Sequence, residues 1–135
     1  MRQAPLQGTI AVTDYGWYEF LRSQFQIEEV NFWRPSPNRA FHAPEGSPFL
    51  FKLRSPHSAI CGFGYFARYS RLPVWLAWEC FEVANGCANL GEMQGRLDRI
   101  RGRFRYQGQT GVDRIGCILV VQPTFFPPGD WIEQP

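Results

Sequence analysis

The order of the strand-like segments is the feature that most limits the fold of this chain. Five segments have the apolar or β-branched residues of strands, and they lie at 8–12, 30–33, 49–54, 59–69 and 115–122. No helix separates each strand from the next, which argues against regular β-α-β units. The pattern predicts an α+β fold built on a small curled β-sheet or barrel.

Three helices are expected around these strands. Thr13 or Asp14 can cap a short early helix, and Pro73 can begin a second helix that Gly86 ends. Asn89 can cap a third helix, so two helices precede the last long strand. An apolar stripe on the third helix should face the sheet and leave Arg99 and Arg103 in solvent; its members are Leu90, Met93, Leu97 and Ile100.

Composition bounds the class of protein. The 135 residues fit a single domain at 1–135, and 44% hydrophobic residues exclude a disordered chain. No apolar run reaches the roughly 18 residues of a membrane span, and no basic-then-apolar leader is present, so we expect a cytoplasmic protein.

The sequence offers little for catalysis or metal binding. His42 and His57 are the two histidines, and the four cysteines form no C-x-x-C pair. No phosphate-binding glycine loop and no zinc deaminase signature occur. We therefore expect a binding module without catalytic residues, cofactor or metal.

The net charge of +2 conceals two basic blocks. Thirteen of the fourteen basic residues are Arg. The flat fork of donors of Arg suits phosphates and base edges, and high genomic GC content, which favours Arg codons, explains the excess equally well. Residues 31–71 carry a charge of +5 and residues 96–114 a charge of +4, whereas 13–30 and 72–95 are each −3. This segregation is expected if one face of the protein meets a polyanion.

Two stretches could bind a ligand directly. Alternation along 59–69 places Gly62 and Gly64 on one face, where bare backbone either packs closely against another element or admits a flat ligand. The neighbouring strand places Lys52 and Arg54 on the same face as Leu50, and these two cations favour the ligand interpretation. The second stretch is 31–36, which enters an arm at 34–48 that holds four prolines. Trp33 should therefore lie at a rim, with Phe32 pointing the opposite way into the core. The alternative for this stretch is that Phe32 and Trp33 are both core residues and that Arg34 is solvated.

Six segments in the same order carry a resemblance to a known family. They are TDYGWYEFL at 13–21, EVNFWRPS at 29–36, PFLFKL at 48–53, ICGFGYF at 60–66, RLPVWLAWE at 71–79 and IGCILVVQP at 115–123. Together they resemble the N-terminal module of HNH-type restriction endonucleases. That module is similar to the PUA-like superfamily, which includes the SRA, EVE, YTH and ASCH domains.

The resemblance implies a sensor of modified DNA. PUA-like readers accept a modified base, often flipped from the duplex, in an aromatic pocket between strands. Cleavage would belong to a separate HNH nuclease domain, because this chain has no His-Asn-His segment. The expected partner is therefore DNA with a modified base or backbone, and the modification itself is not specified.

Eleven residues are candidates for this role. Phosphate contacts are assigned to Arg34, Arg39, Lys52, Arg68 and Arg71. The base pocket is assigned to Asp14, Trp17, Asn31, Trp33, Ser36 and Tyr65. Within it, the three aromatic residues would stack, and Asp14 and Asn31 would hydrogen-bond the base edge, although a helix cap explains Asp14 equally well.

Two other functions fit the same sequence. One is an RNA-binding reader of the YTH kind, which would use single strands and 2′-hydroxyl groups. The other is an interaction barrel that binds a small molecule or protein and no nucleic acid.

Overall fold

A computed structural model of the protein describes residues 7–103 and 114–133. The strands are β1 (Thr9–Thr13), β2 (Glu29–Arg34), β3 (Pro48–Leu53), β4 (Ala59–Pro73), β5 (Arg114–Phe125) and β6 (Ile132–Glu133). The helices are α1 (Tyr15–Arg22), α2 (Val74–Phe81) and α3 (Leu90–Arg103), with 3-10 turns at Glu82–Asn85 and Pro128–Asp130. The predicted α+β class is confirmed. Strand β4 is longer than the pattern indicated, and β6 was not predicted.

The six strands form one mixed sheet. Its order is β1-β3-β4-β5-β2, and β6 pairs with the beginning of β4. Only the β1–β3 pair is parallel among these pairings. Strands β1 and β2 therefore lie at the two ends of the order, and each has a hydrogen-bonded partner on one side.

The sheet has an apolar core on each face. The first core joins α1 to the inner side of the sheet, with Leu21, Phe49, Phe51 and Val120 fully buried. The second core lies under α2 and α3 and contains Cys117. Neighbouring residues of β5 enter opposite cores because strand side chains alternate.

The two glycines of β4 are covered by β5 and not by an open groove. A Cβ added at Gly62 would lie 2.4 Å from the Thr124 carbonyl oxygen, and one added at Gly64 would lie 2.4 Å from Cγ1 of Val120. No side chain fits in these spaces, so the glycines serve close strand packing. The interpretation of this strip as a ligand surface was wrong.

Alternation along β4 also fails after its first residues. The pairing with β5 shifts register between Phe63 and Tyr65 and again between Phe66 and Arg68. Each irregularity changes the face that the following residues take. Cys61 and Phe66 consequently enter the same core, although simple alternation assigned them to opposite faces.

Helix α3 has the expected cap and orientation. Oδ1 of Asn89 accepts the Glu92 N–H at 2.9 Å, and the Glu92 carboxylate accepts the Ala88 N–H at 3.1 Å. In the apolar stripe, Met93 and Leu97 are fully buried, Ile100 is half-buried and Leu90 is exposed. Arg99 is exposed, as expected. The side chain of Arg103 is not among those that the structure describes. No helix in the described parts of the chain is long and apolar enough to cross a membrane.

Candidate functional site

A cavity of about 910 Å³ lies between the two end strands of the sheet, and we call it the seam cavity. One wall is Ala11–Asp14, at the end of β1, and a second wall runs from β2 into the arm at 34–39. Helix α3 adds Arg96, Ile100 and Arg101. Strands β1 and β2 lie at opposite ends of the strand order and yet line the same cavity, so the sheet is curled. The volume is within the roughly 300–1,000 Å³ of ligand pockets.

Positive charge is concentrated in the seam cavity. Its lining includes five arginines and one carboxylate, namely Arg34, Arg39, Arg54, Arg96, Arg101 and Asp14. Such a field attracts anions and raises their local concentration.

Asp14 does not cap α1 through its side chain. It occupies the cap position, but its carboxylate makes no capping hydrogen bond. Instead, Oδ1 of Asp14 accepts a hydrogen bond from Nε of Arg54 at 2.7 Å, and both side chains are more than half exposed. The ion pair joins the start of α1 to the end of β3 and orients Asp14 on the cavity wall.

The arm beside β2 is held by side-chain donors that point at its backbone. Arg71 Nε donates to the Pro37 carbonyl at 2.8 Å, and Arg101 donates to the Pro35 carbonyl at 3.0 Å. Arg34 donates to the Arg39 carbonyl. Proline-rich backbone has few N–H groups for sheet pairing, so these cations supply donors to its carbonyls.

The aromatic residues of the cavity have different degrees of burial. Trp17 is only 5% exposed and packs edge-to-face on Phe32, Phe51 and Phe125, so it is a buried floor and not an open stacking platform. Trp33 is half-buried on the cavity wall. Phe32 packs on the first core, as expected, and also lines the cavity.

Trp33 lines the wall of the cavity and also stabilises the fold. Its ring packs against the second core, and its indole N–H donates to the Asn85 carbonyl at 2.9 Å. The prediction that Trp33 lies at the rim rather than in the core was therefore only half right. Alternation turns Trp33 away from the first core, but α2 and the turn after it cover the other side of β2.

Asn31 lies outside the cavity, and its assignment to the base pocket was wrong. It is fully buried, and its Nδ2 donates to Oδ1 of Asn85 at 2.8 Å. Asn85 in turn donates to the carbonyls of Ala77 and Glu82, at 3.1 and 3.0 Å. The two asparagines therefore join β2 to the end of α2, and the Asn31 side chain cannot reach a base edge.

The remaining candidates divide into two groups. Ser36 and Arg39 line the cavity, and the Ser36 hydroxyl also accepts the Asn38 N–H at 3.2 Å. Four others do not line it: Lys52, Tyr65, Arg68 and Arg71. Tyr65 pairs with Pro48 and Val121 in mid-sheet, and Arg68 is exposed opposite Leu119, so the strand pairing places them elsewhere.

Three lining arginines were not among the eleven candidates, although the sequence groups Arg54 with Lys52 beside the glycine strip. Arg54 follows β3, and Arg96 and Arg101 lie on α3 about 45 residues further along the chain. The basic block at 96–114 pointed to this helix. No spacing rule could show that α3 faces the same cavity as β1.

The buried thiols are unsuited to nucleophilic chemistry at neutral pH. Burial raises the pKa of Cys61 to about 12 and the pKa of Cys117 to about 11. Burial also raises the pKa of Cys87. Protonated thiols are poor nucleophiles. Among residues 7–103 and 114–133, no group of three or more His, Cys, Asp or Glu side chains could hold a metal ion.

Comparisons with known proteins support the fold. No protein-family model matches the chain, and no curated protein matches it. Among solved structures, the ASCH protein from Zymomonas mobilis matches with a TM-score of 0.55 and 13% identity, over 92% of this chain and 71% of that one. A mutant of that protein matches with a TM-score of 0.56 and 13% identity, over 96% and 77%. The chain therefore has the fold of this ASCH protein.

Proposed function

We propose that the protein is a nucleic-acid-binding module that receives one nucleotide in the seam cavity. The single observation that carries the proposal is the placement of five arginines around a cavity whose wall includes the half-buried Trp33. Cationic groups attract the phosphates, and aromatic surface accepts the base. The PUA-like fold agrees with this function.

The edges of the sheet offer further groups for recognition. Among residues 7–103 and 114–133, strands β1 and β2 each pair on one side only, so their backbone N–H and C=O groups on the other side can bond a ligand. Asp14 presents a carboxylate that Arg54 already orients. A base lying between the two strands could therefore be read along its polar edge, as flipped bases are.

A modified base in DNA is the ligand we propose at finer detail. It comes from the resemblance to modules of HNH-type restriction endonucleases, in which a separate domain would cleave. This chain would then act as the sensor and would not cleave DNA itself. Its cytoplasmic location is part of the same proposal.

Binding to a panel of nucleic acids tests the proposal. Fluorescence anisotropy would be measured with duplexes of one sequence that differ in a single modified base. The comparison probes are the unmodified duplex and single-stranded RNA of the same sequence. We expect tightest binding to one modified duplex. Preference for single-stranded RNA would favour the reader of the YTH kind, and no binding at low salt would refute the proposal.

Two arginines of α3 provide a matched pair of variants. Arg96 lines the cavity, whereas Arg99 lies one turn further along and is exposed. Arg96→Ala should weaken binding and reduce the slope of log affinity against log salt by about one ion. Arg99→Ala should leave both nearly unchanged. Equal losses in the two variants would place the nucleic acid on another face.

A further inference from the structure

The arginines of the seam cavity differ in what their guanidinium groups already bind. Arg54 is paired with Asp14, at 2.7 Å. Arg34 and Arg101 donate to backbone carbonyls of the arm, and Arg101 also donates to the Arg114 carbonyl at 3.1 Å. These three side chains hold the walls of the cavity in place.

Arg39 and Arg96 are the two lining arginines whose guanidinium groups donate to no acceptor in the described part of the chain. Arg39 belongs to the arm and Arg96 to α3, and the bond from Arg101 to Pro35 joins these two walls. Each guanidinium has five N–H donors in a planar fork. Both side chains line the same cavity, and neither fork is occupied by an acceptor among the described residues.

We infer that Arg39 and Arg96 bind a phosphomonoester group of the nucleotide that enters the seam cavity. The inference rests on the proposed function for the choice of site and adds a class of ligand to it. A flipped nucleotide inside a strand carries only phosphodiesters, whereas a free or terminal nucleotide carries a phosphomonoester. The ligand is a free nucleoside monophosphate or the phosphorylated end of a strand. These two sources share one chemistry.

Charge favours a phosphomonoester over a phosphodiester within a strand. A phosphomonoester carries about −1.5 to −2 charges at pH 7 and presents three strong acceptor oxygens. Arginine forks bind such oxygens in a bidentate manner. Among the described residues, the lining has five cationic side chains and one carboxylate, so a compact, multiply charged anion balances this charge best.

The experiment compares ligands that differ only in the terminal phosphate. Isothermal titration would use nucleoside 5′-monophosphates, the matching nucleosides and inorganic phosphate. It would also use one short oligonucleotide with a 5′-phosphate or a 5′-hydroxyl end. We expect the phosphate to strengthen binding by roughly tenfold or more, as charge-assisted hydrogen bonds do. Affinity should rise with pH through the second phosphate pKa near 6, because the dianion binds more tightly.

Three variants test the assignment to these residues. Arg39→Ala and Arg96→Ala should each remove most of the difference between the phosphorylated and unphosphorylated ligands. The backbone carbonyl of Arg39, which Arg34 binds, is retained in the first variant. Arg99→Ala, on the exposed side of α3, should keep the full difference. Thermal melts would show that all three variants fold.

The outcomes separate this inference from the proposed function. If the oligonucleotide binds equally with either end and Arg96→Ala still weakens it, the nucleic-acid-binding function stands and the phosphomonoester inference is wrong. If monophosphates bind but no oligonucleotide does, the inference stands for free nucleotides and the proposed function fails. If the Arg99 variant loses the phosphate preference as fully as the other two, the inference is wrong.

Discussion

Replacing Trp33 by Ala should lower both stability and ligand binding. A fully buried Trp or Phe reduced to Ala costs roughly 3–5 kcal/mol, and Trp33 is half-buried, so lost packing should cost about 2 kcal/mol. The Asn85 carbonyl also loses its indole donor, which adds about 1 kcal/mol. We expect a total near 3 kcal/mol. Trp33→Phe keeps an aromatic wall and loses mainly the hydrogen bond, so it should cost about 1–1.5 kcal/mol.

The assay combines urea unfolding and a thermal melt with binding measured well below the melting temperature of each variant. At about 3–5 °C per kcal/mol, the Ala variant should melt roughly 10 °C early. It should also lose most of its affinity, whereas the Phe variant should retain most of it. An Ala variant that is as stable as the parent would refute the packing argument. One that binds normally while folded would show that Trp33 is not a wall of the ligand site.

Two further predictions concern glycine positions and thiols. Gly86→Ala should destabilise the protein by about 2 kcal/mol or more, because φ of Gly86 is +83° and the new Cβ would lie 2.1 Å from Trp17. Gly95→Ala on α3 should stabilise it by about 0.5–1 kcal/mol in the same urea assay, because nothing lies within 4 Å of the new Cβ. Equal effects of the two substitutions would contradict this geometry. Burial raises the pKa of Cys61 to about 12 and of Cys117 to about 11 from 9.0, so the folded state holds more protons in alkali and the free energy of unfolding should fall as pH rises from 9 towards 12. A free energy that stays level over this range would show that these thiols are not buried in the folded protein.

Much of the fold could be predicted because its helices and strands carry local sequence signals. Asn89 caps α3 with Glu92 at the right spacing, and the stripe through Met93 and Leu97 is buried as helical periodicity requires. The two register shifts in strand β4 could not be predicted. They depend on how β5 pairs with β4, and no signal within the strand itself marks them.

The candidate site was only half predictable for a different reason. Residues beside the arm, such as Arg34 and Ser36, were found because their neighbours in sequence are also their neighbours in space. Asn31 was assigned wrongly because its burial depends on Asn85, which follows it by 54 positions. Arg54 and Arg96 reach the cavity through the curl of the sheet and the docking of α3, and a single sequence does not encode either in a local pattern.

The preference for Arg over Lys acquires a structural reason from the arm. Arg34 and Arg71 each place their guanidinium 5.6 Å from the centre of the Tyr69 ring while donating to arm carbonyls. A planar cation can stack on the ring and bond a carbonyl at the same time, whereas an ammonium group is compact and strongly hydrated. Carbonyls are neutral acceptors, so these bonds fix the arm without cancelling the positive charge. The arm can therefore be held rigid by the same kind of residue that makes the neighbouring cavity attractive to an anion.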